Sequence, residues 1–162
     1  MLLFIFGIYL YSCIGPIPVD VVMINDELFF VLEEPHEISA VRVTARNSND
    51  GKFNDGKTMW NLYKDLTTEV KKRKYVRLKQ IKYGQKFEEF PMVEGPVQLQ
   101  RNVEYLVGID MGNKFAREIF IITDDNKVIM PHPTFERQKN RKYSVSVDKD
   151  GNKTLILEPV SK

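Results

Sequence analysis

Short runs of β-branched and aromatic residues recur along this chain, and no stretch sustains the i, i+3, i+4, i+7 spacing of an amphipathic helix. Val19–Ile24 (VDVVMI) and Glu27–Leu32 (ELFFVL) flank Asn25-Asp26, which reads as a tight turn. Ile38–Arg46 alternates, with Val41 and Val43 on one side and Arg42 and Thr44 on the other. Met59–Leu66 fits either period; its aromatic content favours a strand. Tyr75–Ile81 sets Val76, Leu78 and Gln80 against Tyr75, Arg77, Lys79 and Ile81. Residues from Gly84 to Gly95 look irregular, and Pro96 opens an edge-strand candidate at Val97–Gln100. Val103–Asp110 alternates again, and Ala116–Thr123, Asp124-Asp125-Asn126 and Val128–Met130 read as a hairpin. A last hairpin joins Tyr143–Val147 to Thr154–Leu157 through Asp148–Asn152. The expectation is all-β: an antiparallel immunoglobulin-like β-sandwich over residues 19–130, with a C-terminal β-hairpin extension over 131–162.

The first residues are of another kind. Met1–Ser12 carries no charge and only Gly7 as a breaker. As a helix it would reach about 18 Å, short of a hydrocarbon core of roughly 30 Å. The length suits the apolar core of a secretion signal. Leu10-Tyr11-Ser12-Cys13 resembles the lipobox of bacterial lipoproteins, in which a small residue precedes the cysteine that is acylated. Cys13 is the chain's single cysteine. Tyr11 is bulkier than that pattern prefers, and no Lys or Arg precedes Arg42; a start codon placed too late would account for the missing basic residues. The competing reading is a buried N-terminal strand or helix with Cys13 in the core. On the lipoprotein reading, residues 1–12 are the signal peptide and 13–18 a Gly/Pro linker behind a lipidated Cys13. Ile14 is not the Asp that retains lipoproteins at the inner membrane of enterobacteria, so outer-membrane anchoring in the periplasm is expected. Acyl chains would hold firmly, at about 0.8 kcal/mol per buried methylene.

Charge is nearly balanced overall, 24 basic against 22 acidic residues, but it is segregated. Asp20 to Glu37 holds six carboxylates and no Lys or Arg, whereas Lys64 to Lys86 holds nine basic residues against Asp65 and Glu69. Lys71-Lys72-Arg73-Lys74 is its densest part. The plain reading is a solvated turn whose charges meet the acidic strands; the functional one is a surface that attracts an acidic protein. Lys72, Arg73, Lys74 and Arg77 are the partner-binding candidates, with the Asn47–Lys57 loop beside them. Trp60, the single tryptophan, is read first as core and second as an exposed anchor for that partner.

Catalytic chemistry is sparse. A single cysteine excludes a disulfide framework and a thiolate metal cluster, and the two histidines, His36 and His132, have no ligand partners at metal spacing. Glu33-Glu34 and Glu88-Glu89 are adjacent, so in a strand they point to opposite faces and do not cooperate. Asp148-Lys149-Asp150-Gly151-Asn152 places its glycine too early for a calcium loop and reads as a turn. No nucleophile elbow, P-loop or dinucleotide fingerprint occurs. The expectation is no enzyme, no cofactor, no metal, no nucleic acid and no small-molecule substrate.

Cys13 with its Gly/Pro linker, the acidic early hairpin, VEYLVGID and REIFIITDDNKVI occur in an order similar to that of small periplasmic lipoproteins of the type VI secretion immunity family. The similarity covers residues 13 to about 130. It implies a membrane-tethered β-sandwich that binds a cognate periplasmic toxin and occludes it, with Cys13 as the one residue carried over. The alternative is an envelope assembly lipoprotein that pairs through an exposed edge strand, with the C-terminal hairpin as that edge.

Overall fold

A computed structural model describes residues 15–46, 56–64, 69, 76–135, 138, 141–151 and 153–158. Eleven strands occur among them: β1 (Val19–Ile24), β2 (Glu27–Ile38), β3 (Ala40–Ala45), β4 (Thr58–Tyr63), β5 (Val76–Lys82), β6 (Met92–Glu94), β7 (Glu104–Met111), β8 (Lys114–Ile122), β9 (Val128–Ile129), β10 (Tyr143–Val147) and β11 (Lys153–Leu157). The described residues are all-β. Their ladders are antiparallel and make a three-stranded sheet, β1-β2-β5, a six-stranded sheet, β6-β4-β3-β7-β8-β9, and the β10-β11 hairpin.

Local chemistry explains the first hairpin. Asn25 and Asp26 have φ of 50° and 62°, the left-handed pair of a two-residue turn, and both residue types tolerate that region. β2 then runs on to Ile38, and the chain changes sheets at Ser39, whose N–H donates to the Asp110 carbonyl at 2.7 Å. The strand expected from Ile38 to Arg46 is therefore divided at this corner and begins at Ala40. Met59 to Leu66 resolves as the strand β4, ending at Tyr63. The edge strand expected at Val97–Gln100 does not form; the pairing segment is Met92–Glu94, inside the stretch expected to be irregular. Pro91 and Pro96 bracket β6 and confine the ladder to these few residues. Gly95 (φ 80°) lies so close to β4 that a Cβ there would stand 2.4 Å from the Met59 carbonyl oxygen.

One core joins the two larger sheets. Val19, Val21, Leu28, Phe30, Leu32 and Ile38 come from the three-stranded sheet; Val41, Val43, Trp60, Leu62, Tyr105, Val107, Ile109 and Phe120 come from the six-stranded one. Trp60 stacks on Phe30 with ring centres 6.5 Å apart and meets Tyr83 edge-on at 5.3 Å, while Phe120 contacts both Phe30 and Tyr105. Such pairs contribute roughly 0.5–1.5 kcal/mol each beyond area burial. Alternation alone misplaces Ile81. It puts Ile81 opposite Val76 and Leu78, yet all three pack on this core. The β2–β5 register shifts between Val31 and His36, and β5 skips Lys79 in the pairing, so the period of two restarts. Thr44, expected on the solvent side with Arg42, is also buried.

The C-terminal hairpin forms a third layer. Leu155, Tyr143 and Val145 cover Phe29, Val31, Val22 and Ile24, the outward side chains of β1 and β2. Gln80 joins the two layers as a side-chain amide acting like backbone: its Nε2 donates to the Lys153 carbonyl at 2.7 Å and its Oε1 accepts from the Leu155 N–H at 2.8 Å.

Candidate functional site

The residues singled out in the sequence are not brought together. Trp60 has no exposed surface, so the reading of it as a partner anchor is corrected: it is the centre of the aromatic core, and its indole Nε1 has no acceptor among the described residues. Its position on β4, between β3 and β6, aims it at Phe30 of the opposite sheet. Arg77 is exposed on β5 and donates to the Pro35 carbonyl at 3.1 Å. Cys13, Lys72, Arg73, Lys74 and residues 47–55 of the polar loop lie outside the described residues.

A buried polar cluster that no sequence motif signals gathers around Asp20. Asp20 is 2% exposed, because β1 turns it outward beneath the C-terminal segment. Its carboxylate accepts from Arg141 at 2.7 Å, from Gln138 Nε2 at 2.9 Å and from the Tyr143 hydroxyl. Arg141 also pairs with Glu33. Burial opposes the Arg141 charge, but its hydrogen bonds to Asp20 and Glu33 prevail and hold the guanidinium above its already high range. Burial, and then the hydrogen bond to Asp20, pushes the Tyr143 hydroxyl well up. Every charge here is matched, which makes this a docking lock for the hairpin segment. A second such tie is Glu27, bonded to Lys82 at 2.5 Å and Lys153 at 3.1 Å; the Lys82 hydrogen bond and then that of Lys153 hold its carboxyl below the ordinary range.

The outer face of the six-stranded sheet differs. No described strand packs over it around Arg42, Gly108 and Arg117, although Thr44 and Asn61 toward β4 are buried on the same side, whereas the corresponding face of the three-stranded sheet lies under the hairpin. Register places Arg42, Gly108 and Arg117 side by side across β3, β7 and β8, with Ala40, Asp110 and Phe115 in a neighbouring row. Arg42 and Arg117 are exposed, and Phe115 and Ile129 show 39% and 48% of their surface. Gly108 supplies no side chain, so a groove of about 210 Å³ opens between Ala40, Arg42, Thr44, Leu106 and Asp110. Arg42 and Asp110 set one charge of each sign beside this floor, which suits a protruding polar partner group. The sequence signal for this site is Gly108 within VEYLVGID, since a mid-strand glycine costs packing and often marks close approach of another chain.

Among the described residues no three His, Cys, Asp or Glu side chains converge on a point that would hold a metal, and no helix is long and apolar enough to cross a membrane. No family model matches the chain, and neither does any curated protein or solved structure.

Proposed function

We propose that this chain is a non-enzymatic, lipid-anchored binding protein of the periplasm, an immunity protein that neutralises a type VI secretion effector by steric occlusion. One observation carries the reading: the chain covers the outer face of its smaller sheet with its own C-terminus but places no described element over the Arg42–Gly108–Arg117 face of the larger one. An occluding protein needs an interface of about 1,600 Å² and contributes no chemistry. The acidic partner favoured by the charge distribution would meet Arg42 in the groove and Arg117 on the neighbouring strand. Tethering rests on the apolar segment before Cys13 and on the lipobox-like residues there.

The fold reading behind this proposal is an immunoglobulin-like sandwich. The order β1-β2-β5 opposite β4-β3-β7-β8 is compatible with strands A-B-E opposite C′-C-F-G. Tyr105, near the start of β7, accepts a hydrogen bond from the Gln100 N–H at 2.7 Å, the upstream closure typical of a tyrosine corner.

The test is recovery of partners from native cells by the full chain tagged at its C-terminus, as wild type and as Gly108→Trp. A Cβ at Gly108 meets nothing within 4 Å and the residue has no positive φ, so a large side chain there fills the groove without disturbing the core. The expected result is one secreted toxin captured by the wild type and lost by the variant. Capture of envelope assembly components instead would replace this reading with the assembly one. Equal capture of a toxin by both proteins would remove this face from the interface.

A further inference from the structure

We infer that the open edge of β1 is a docking site for an extended peptide segment of a partner protein, added as a further strand. This inference does not depend on the toxin reading, because it concerns a different surface and is tested without any captured partner.

In a two-residue hairpin the closing pair, Ile24 and Glu27, exchanges both backbone hydrogen bonds, and pairs alternate from there. Asp20, Val22 and Ile24 therefore bond β2, while Val19, Val21 and Met23 turn their N–H and C=O groups to the free edge. Gln138 Nε2, which donates to the Val19 carbonyl at 2.8 Å, agrees with this phase and occupies that end. The groups of Val21 and Met23 meet no described partner.

These groups face a cavity of about 320 Å³ rather than a convex surface. Asn126, Lys127, Val128 and Met130 form one wall, and Gln138, Arg141 and Tyr143 the other. The Ile17–Ala116 bridge lies before this stretch of β1 in the chain and the Asp26–Asn126 side-chain hydrogen bond lies beyond it. Backbone donors and acceptors aimed into a walled slot call for a partner with the same spacing, which is an extended chain. Val128 and Met130 supply apolar wall for alternate side chains of that chain.

Exposed edges are normally guarded by charge, proline or shortness. β5 carries exposed Arg77, Lys79 and Lys82, β6 sits between two prolines, β9 has two residues, and the Lys153–Leu155 stretch of β11 is capped by Gln80. β1 has none of these devices. Its one charge, Asp20, is turned under the hairpin segment and bound to Arg141. The inferred edge-pairing site is therefore β1, distinct from the C-terminal hairpin expected from the sequence.

The test is residue-resolved amide hydrogen exchange on the full chain. The probe is a blocked hexapeptide alternating threonine and valine, and its control is the same peptide N-methylated at every residue. Val21 and Met23 are expected to exchange fast in the free protein while Asp20, Val22 and Ile24 exchange slowly. Saturating unmethylated peptide should slow Val21 and Met23 by roughly tenfold or more, and the methylated control should not. Slow exchange in the free chain at all protein concentrations would mean that the edge is already paired. Slowing that grows with protein concentration would make a second copy the occupant. No slowing by the peptide would mean that the slot takes no strand. Each of these overturns the inference.

Discussion

Removing Asp20 should unfasten the C-terminal hairpin. Asp20→Ala takes away the acceptor shared by Arg141, Gln138 and Tyr143 and leaves a guanidinium whose side chain is 10% exposed. Breaking a buried ion pair from one side costs about 3–5 kcal/mol. Glu33, 37% exposed, still meets the other arm of Arg141, so the low end of that range applies, about 3 kcal/mol. For a chain of this size each kcal/mol moves the melting temperature by roughly 2–4 °C, giving a fall of about 6–12 °C. The assay is urea and thermal unfolding of four proteins: wild type, Asp20→Ala, Arg141→Met and the double variant. Because the cost of Asp20→Ala is mostly that of a stranded cation, the double variant should recover at least about 1 kcal/mol relative to Asp20→Ala. A loss below about 1 kcal/mol in Asp20→Ala, or a double variant showing strict additivity, would refute the view that this pair fastens the hairpin.

Two further outcomes are expected besides the partner-capture and exchange experiments above. Burial pushes the Tyr83 hydroxyl up to about 12, while unfolded tyrosine ionises near 10. The folded state thus favours the neutral phenol, and its contribution is full below pH 10 and lost as pH rises toward 12. Urea midpoints measured across this window should fall more steeply for wild type than for Tyr83→Phe, which has no proton to lose; parallel profiles would contradict this. On the membrane side, Cys13→Ser should abolish incorporation of labelled palmitate and release the chain from the membrane fraction; a wild-type chain that takes up no label would remove the anchor from the proposal.

Much of the strand pattern was legible because burial on a pleated sheet imposes a period of two. Val41 and Val43 point into the core, β1 and β2 meet at Asn25-Asp26, and the β8–β9 and β10–β11 hairpins form where turn residues separate apolar runs. The reading failed where register is set by another strand. Ile81 lies on the core side only because β5 slips against β2, and β6 forms at Met92–Glu94 because β4 has an edge to pair there. Neither fact is local.

ELFFVL shows what one dimension cannot separate. A continuous apolar run signals burial on both faces, but only the third layer explains it: Leu28, Phe30 and Leu32 fill the main core, while Phe29 and Val31 lie under the hairpin. By itself the sequence determined that this chain would be all-β, because short apolar alternation without helical spacing leaves no other way to bury its side chains. It also determined the tight turns, through residues that tolerate positive φ. Only the tertiary structure decided that Trp60 faces inward, that Asp20 and Arg141 find each other across 121 positions, and that Gly108 floors a groove between Arg42 and Asp110. Those outcomes depend on which strands become neighbours, and contacts between distant segments leave no periodic trace in either segment alone.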